Sequence, residues 1–456
     1  MTPTTINDPL ATPLERLDAL RAHLATHPAF PGFVTESNNH VHTIYSFSPY
    51  TPAMAALRAR EAGLTVVGSV DHDSAAGAAE MTAAAAAVGL GSVTGFECRV
   101  YVHPAVDVAE GRAPFHDRKL NNPDTAGIAY MTVQGIPASA RDAVAEYLAP
   151  IREARLKRTA QMVDNANEIL GRLGAELIDV ERDIVGRSQF LHGGTVTERH
   201  LLAAMADKLI GRFGRGESLV AGLGELGLQL SDKVRAQLGD VDNPHLTFDL
   251  LGVMKAEFLD QIYVVPQRLE DGGECPTMAE VIAFAKSISA IPCYAYLGDV
   301  TASPTGDKKA EKFEDDFLDE LVEFLGQIGM PAITYMPPRN TAEQMARIAE
   351  LADRNGLLEV SGVDINTPRQ VFNCPELQRP ELAHLNDATW AMVAHEQLAE
   401  FSRGAEWDGR PLGLFDDGSP LAGLSLKDRV KRYSAVGRSL VQEGLPVPEA
   451  AARIAG

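Results

Sequence analysis

Leu14, Leu17, Leu20 and Leu24 recur at intervals of three and four residues near the start of the chain. That period places them on one face of a helix spanning residues 13–26. Pro28 and Pro31 stop it. A different pattern then begins, in which a short apolar run gives way to a few polar residues and then to a helical stretch. The first run ends at Asn39-His40-Val41-His42, and a helix follows from Pro52. The second covers 64–70, closes on Asp71-His72-Asp73, and precedes an alanine-rich helix from Ala75 to Val88. The third covers 91–96 and closes on Glu97, and the fourth covers 127–133. A long helical stretch intervenes over 137–245, clearest at 152–174 and 197–214. The apolar runs resume at 258–265, 290–297, 331–336 and 357–363. Between the last two, Thr341 with Gln344 three residues on gives a capping-box start, and Gly356 a helix stop.

Strands alternating with helices predict a parallel sheet, and about eight of them predict closure into a barrel. No Gly-x-Gly-x-x-Gly follows a strand, so a dinucleotide-binding fold has no support. The expected organisation is an N-terminal helical segment (1–32), a first part of the barrel (33–136), a helical insertion (137–245), a second part of the barrel (246–370) and a C-terminal extension (371–456) with helices at 386–401 and 427–442. The length of 456 residues suits a barrel of about 250 residues with an insertion and a tail.

Composition narrows the function. With 45% hydrophobic residues the chain can bury a real core. A formal net charge of -21 repels a phosphate backbone, so nucleic acid is not an expected partner, while capture of a cation is unhindered. Cys98, Cys275, Cys293 and Cys374 lie far apart without a Cys-x-x-Cys pair, which argues against a disulfide framework or a thiolate zinc site. The N-terminus lacks a basic-then-apolar signal, and no apolar run is long enough for a membrane span. A cytoplasmic protein acting on a small molecule is expected. A homo-oligomer is an open possibility, with the segment beyond 370 covering either a neighbour or the barrel's rim.

The candidate chemistry lies where the apolar runs end. His40 and His42 close the first run, Asp71 and His72 the second, Glu97 the third and Asp364 the last. In such barrels the C-terminal strand ends form the active face. Residues two apart on a strand point the same way, so His40 and His42 can face one ion while Val41 turns to the packing behind. Neutral imidazoles bind Zn, Mn or Fe, and carboxylates complete a mixed shell. His40, His42, Glu97 and Asp364 therefore form a four-ligand candidate set for at least one divalent ion. Singly, each has a plainer reading: Asp71-His72-Asp73 as a helix start, Glu97 as an ion-pair partner. Their joint placement points to metal. His72 and Asp71 are candidates for proton handling. Arg99, Lys119, Arg339 and Arg369 follow strand ends, where an arginine can fork onto phosphate or carboxylate.

These segments resemble the polymerase and histidinol phosphatase (PHP) family. SNNHVHTIYSFSPYTP (37–52) is similar to its first motif, His-x-His-Thr-x-x-Ser-Asp-Gly, and SVDHDSAAG (69–77) to its Thr-Asp-His-Asp segment. GFECR (95–99) matches Gly-x-Glu, and TERHLLAAM (197–205) resembles the Arg-Pro-His-Ile-Ala helix of the family's inserted domain. TYMPPRNTAEQ (334–344) and VSGVDIN (360–366) resemble Tyr-x-Pro-x-His-Thr and the closing Gly-Ser-Asp-x-His. The resemblance implies a distorted (β/α)7 PHP-type barrel with a helical insertion and a C-terminal helical tail. It implies up to three metals and hydrolysis of phosphate esters. His40, His42, Glu97 and Asp364 would hold the first metal, Glu97 would bridge to a second, and His72 would belong to the third. His200 would face the site. The departures are Phe47 for an Asp, Asn366 for the closing His, Asn340 for a His, and Tyr296 where Ala-His-Pro usually stands. Tyr296 is a candidate donor to a leaving group or the metal. His103 and His116 follow Glu97 without a clear strand position. The leading expectation is a metal-dependent phosphoesterase acting on a small phosphorylated or acidic metabolite through a metal-activated water. A single-metal C–N hydrolase and a barrel that only binds a ligand are the alternatives.

Overall fold

Seven strands stand in sequence order in one sheet in the computed structural model, which describes residues 3–300 and 311–456. They are β1 (Ser37–Val41), β2 (Val66–His72), β3 (Gly91–Tyr101), β4 (Ile128–Gln134), β5 (Ile291–Ala295), β6 (Ala332–Tyr335) and β7 (Leu358–Ser361). The chain after β7 returns alongside β1. The His42 amide donates to the Ile365 carbonyl at 2.9 Å, and the Ile365 amide to the His40 carbonyl at 3.0 Å. These bonds bring the two edges together into a nearly closed, distorted barrel.

β4 departs from the expected parallel order, pairing antiparallel with both β3 and β5. A parallel return needs a crossover packed on the sheet. The connection from β3 to β4 holds only a short helix, Ala105–Ala109, with no buried residue, so the chain folds back beside the strand it left. Residues 258–265, expected as a strand, belong mostly to the helix Leu246–Ile262. Phe258, Leu259 and Ile262 are buried at helical spacing, together with Leu250, Leu251 and Met254. A short apolar run reads alike in a buried helix and a buried strand. This leaves seven strands rather than eight, and helices run from Arg141 to Ile262. The helix Ala342–Asn355 carries the expected ends: Thr341 and Gln344 form the capping box, and Gly356 adopts the left-handed conformation.

The C-terminal helices Ala383–Arg403, Leu426–Gln442 and Val447–Ala455 share a core with Val66, Ile291, Ala332 and Leu358, the first residues of β2, β5, β6 and β7. The extension therefore closes the N-terminal end of the barrel, leaving the other end for chemistry. Among the described residues no helix is long and apolar enough to cross a membrane.

The contact between extension and barrel includes Glu396, whose carboxylate accepts from the Thr94 amide at 2.7 Å and the Thr94 hydroxyl at 2.9 Å. Burial pushes this carboxyl from 4.5 up to about 7, against the pull of the Thr94 hydrogen bonds. Across that window the folded chain keeps a proton that the unfolded chain has released, so this residue makes stability fall as pH rises. Glu396→Gln is expected to raise the melting temperature at about pH 8, with the gain shrinking towards about pH 5. An equal shift at both pH values in a thermal melt would contradict this assignment.

Candidate metal centre

The barrel brings together side chains that lie more than three hundred positions apart in sequence. β1 presents His40 near its end, and His42 follows directly, with the buried Val41 between them packed into the core. His72 ends β2 and pairs in register with Glu97 on β3. Asp364 follows the end of β7. His40 Nε2 lies 3.6 Å from Glu97 Oε1, and His42 Nε2 lies 3.8 Å from Glu97 Oε2 and 3.4 Å from Asp364 Oδ1. The His42 and His72 rings stack at 4.5 Å between centroids. His40, His42 and Asp364 form one group with metal-ligand spacing, and His42, His72 and Glu97 a second.

Donors about 2.1 Å from an ion at tetrahedral or octahedral angles stand roughly 3.0–3.4 Å apart. The His42–Asp364 and His72–Glu97 separations fall in that range, and the other two are slightly longer. His72 Nδ1 is the clearest case. It is buried, lies 3.0 Å from Glu97 Oε2, and makes no hydrogen bond. Burial, reinforced by His72, His40 and Arg199, holds the His42 pKa well below the usual range, so its ring is neutral, the form that binds metal. Burial works to raise the Glu97 pKa, but His72 and His40 outweigh it and keep this group below its ordinary value.

A cavity of about 270 Å³ opens beside the cluster, walled by His40, His72, Glu97 and Asp364 and roofed by Arg199 and Leu202 from the helical layer. A larger cavity of about 500 Å³ lies within the helical layer and includes none of these donors. Its acids and bases neutralise each other, as in Arg187–Asp207 at 2.6 Å and Lys208–Glu176 at 2.9 Å.

No protein-family model and no curated protein matches the chain. Two solved structures are similar to it. One, from Bifidobacterium adolescentis, bears the provisional name metal-dependent phosphoesterase; it is 20% identical, with 77% of this chain and 96% of that chain covered and a TM-score of 0.45. The other is an amidohydrolase from Chromobacterium violaceum with bound sulfate and no metal; it is 18% identical, with 74% of this chain and 90% of that chain covered and a TM-score of 0.45.

The remaining candidates divide. Asp71 is buried and does not reach the cavity. Its oxygens accept from the Thr43 amide and hydroxyl, each at 2.6 Å, and from the Ser46 hydroxyl at 2.7 Å. Ser46 Oγ in turn lies 3.4 Å from His42 Nδ1. Asp71 thus braces the turn after β1 and, through Ser46, the His42 ring. It is not placed to handle protons, and His72 is drawn among the donors.

Arg99 reaches the wall but is committed to Glu198 at 2.7 Å, Glu274 at 2.9 Å and the Tyr130 hydroxyl at 2.8 Å. Arg339 lies outside the wall, donating to the Leu297 carbonyl at 3.1 Å. Tyr296 lines the cavity, yet its hydroxyl donates to Asp315 at 2.5 Å. His200 turns away: its Nδ1 accepts from the Thr197 amide at 3.0 Å, its ring meets Phe47 edge-on at 4.9 Å, and burial lowers its pKa to about 3. Lys119 and Arg369 pair with Glu311 and Asp249. Asn340 donates to the Leu297 carbonyl, and neither His103 nor His116 lines the cavity. Asn366 donates to Asp364 Oδ1 at 2.7 Å and so orients that donor.

The sequence reading missed Arg199. It precedes His200 in the first turn of the helix Glu198–Phe213, and a helical step of one residue turns it into the cavity while His200 packs away. Its place inside the quoted TERHLLAAM segment, one residue before His200, was the available signal.

Proposed function

We propose that this chain is a metal-dependent hydrolase of the PHP type that cleaves a phosphate ester of a small acidic metabolite. The observation that carries this reading is the convergence of three imidazoles and two carboxylates at one end of the barrel, beside a cavity. His40, His42, His72, Glu97 and Asp364 would hold the cation. A divalent ion in such a set, whether Mn, Zn or Fe, supplies Lewis-acid charge that acidifies water and polarises an ester.

The chain's own groups do the rest. Ser46 and Asn366 hold His42 and Asp364 in orientation. Tyr130 keeps its proton because burial raises its pKa, so a neutral hydroxyl on the wall is free to donate to a substrate oxygen. Arg199 and Lys255 add positive charge to that wall and suit an anionic substrate.

A panel of phosphate monoesters, phosphodiesters and C–N substrates tests the reading on protein loaded with Mn, Zn or Fe. Phosphate release that stops with a chelator and returns with metal is expected. Ammonia release without phosphate would overturn the ester assignment, and no turnover of either class would overturn the hydrolase.

A further inference from the structure

Three arginines reach the cavity wall: Arg99, Arg155 and Arg199. Two are saturated. Arg99 is held by Glu198, Glu274 and Tyr130, and Arg155 by Asp73 at 2.5 Å and Glu198 at 3.0 Å. Arg199 is different. No carboxylate forms an ion pair with it among the described residues, and its one protein hydrogen bond is a long one, from Nη2 to the Asn366 carbonyl at 3.4 Å. Its Nε is shut off from water and has no partner at all. The guanidinium lies 5.5 Å from the centre of the Phe47 ring, so the side chain rests on a flat apolar support instead of an acid.

Asp364 acts on this guanidinium from beyond ion-pair distance, and a partly buried cation held no more closely than that is unfavourable unless something completes it. The neighbouring Asn366 side chain donates to Asp364, one of the metal donors, which puts the unfilled charge next to the cluster. Arg199 also stands in the first turn of a sixteen-residue helix, whose positive end adds to its field. We infer that Arg199 sets the specificity of this site, its guanidinium fork holding an oxyanion of the substrate, phosphate or carboxylate, beside the metal donors. The anion being substrate rests on the hydrolase reading; the anion site itself does not.

Inorganic phosphate and malonate serve as probes, titrated calorimetrically into metal-reconstituted protein, with metal content measured on the same samples. Arg199→Met is expected to keep the wild-type metal content and to bind the anion on the order of 10-fold to 100-fold more weakly, with Arg199→Lys between the two. The larger loss, for phosphate or for malonate, names the class of anion. Anion affinity within about twofold of wild type in Arg199→Met would overturn the inference, as would wild-type protein that binds neither probe at millimolar concentration. If wild-type protein holds no metal, the hydrolase reading fails while the comparison of anion affinities still decides the role of Arg199. Should Arg199→Met fail to fold, Arg199→Lys keeps the charge without the fork: weaker binding at an unchanged melting temperature supports the inference, and unchanged binding overturns it.

Discussion

Replacing His40 and His42 together with alanine is expected to yield a folded protein that holds no ion and turns over no substrate. His42 belongs to both donor groups, so its loss breaks each of them, and His40 is one of the two remaining members of the first. What is left, His72, Glu97 and Asp364, offers one imidazole and two carboxylates. Changes to residues behind a metal ligand already cost about 10-fold to 100-fold, so removing two direct donors should cost on the order of a thousandfold or more in turnover. The fold should persist, because His40 and His42 lie at the cavity end of the barrel and the main apolar cores do not include them. Circular dichroism together with elemental analysis and an activity assay checks the outcome. Wild-type turnover in this variant would contradict the assignment.

Glu198→Gln is expected to destabilise the protein by about 3–5 kcal/mol, the usual result of breaking a buried charge network from one side. Glu198 accepts from Arg99 at 2.7 Å, from Arg155 at 3.0 Å and from Arg158, while Glu274 takes Arg158 at 2.6 Å and Asp73 takes Arg155. Three cations and three carboxylates thus balance across β3, the turn after β2, the helix Arg141–Arg172, the start of the helix Glu198–Phe213 and the segment before β5. Burial works against the Glu198 carboxylate, yet the three arginines hold its pKa well below the ordinary range. Glutamine leaves three guanidinium groups facing two acids in a region closed to water. The helical layer is anchored to the barrel here, so its loosening should also lower activity by unsettling Arg199, the next residue. Chemical denaturation measures the first effect; a midpoint equal to wild type would show that the network contributes little.

Much of the barrel was legible because its signals are local. The alternation of apolar runs with capped helices located the neighbourhoods of all seven strands, and Thr341, Gln344 and Gly356 set the ends of one helix. The reversal of β4 was not legible. Strand direction depends on where the preceding connection packs, and the residues of 102–127 carry no periodic sign of it. Residues 258–265 misled because an apolar run has no period of its own when every face is buried. In the site, strand-end placement marked the donor types, and the geometry then sorted them. Asp71 and His72 are adjacent, yet alternation along β2 sends one behind the β1 turn and the other into the cluster. Arginine positions were the least legible, since a long side chain chooses its partner in three dimensions. Arg99 and Arg339 found close internal acceptors, whereas Arg199 has only the long bond to the Asn366 carbonyl. Phe47 and Asn366, the two departures from the resembled motifs nearest the cluster, both touch Arg199.

Anomalous X-ray scattering from crystals of the full chain grown with manganese or zinc tests the central claim most directly. The account predicts at least one strong metal peak enclosed by His40, His42, His72, Glu97 and Asp364. A well-ordered site with no peak among those five side chains, or the same ion bound only elsewhere on the protein, would contradict it.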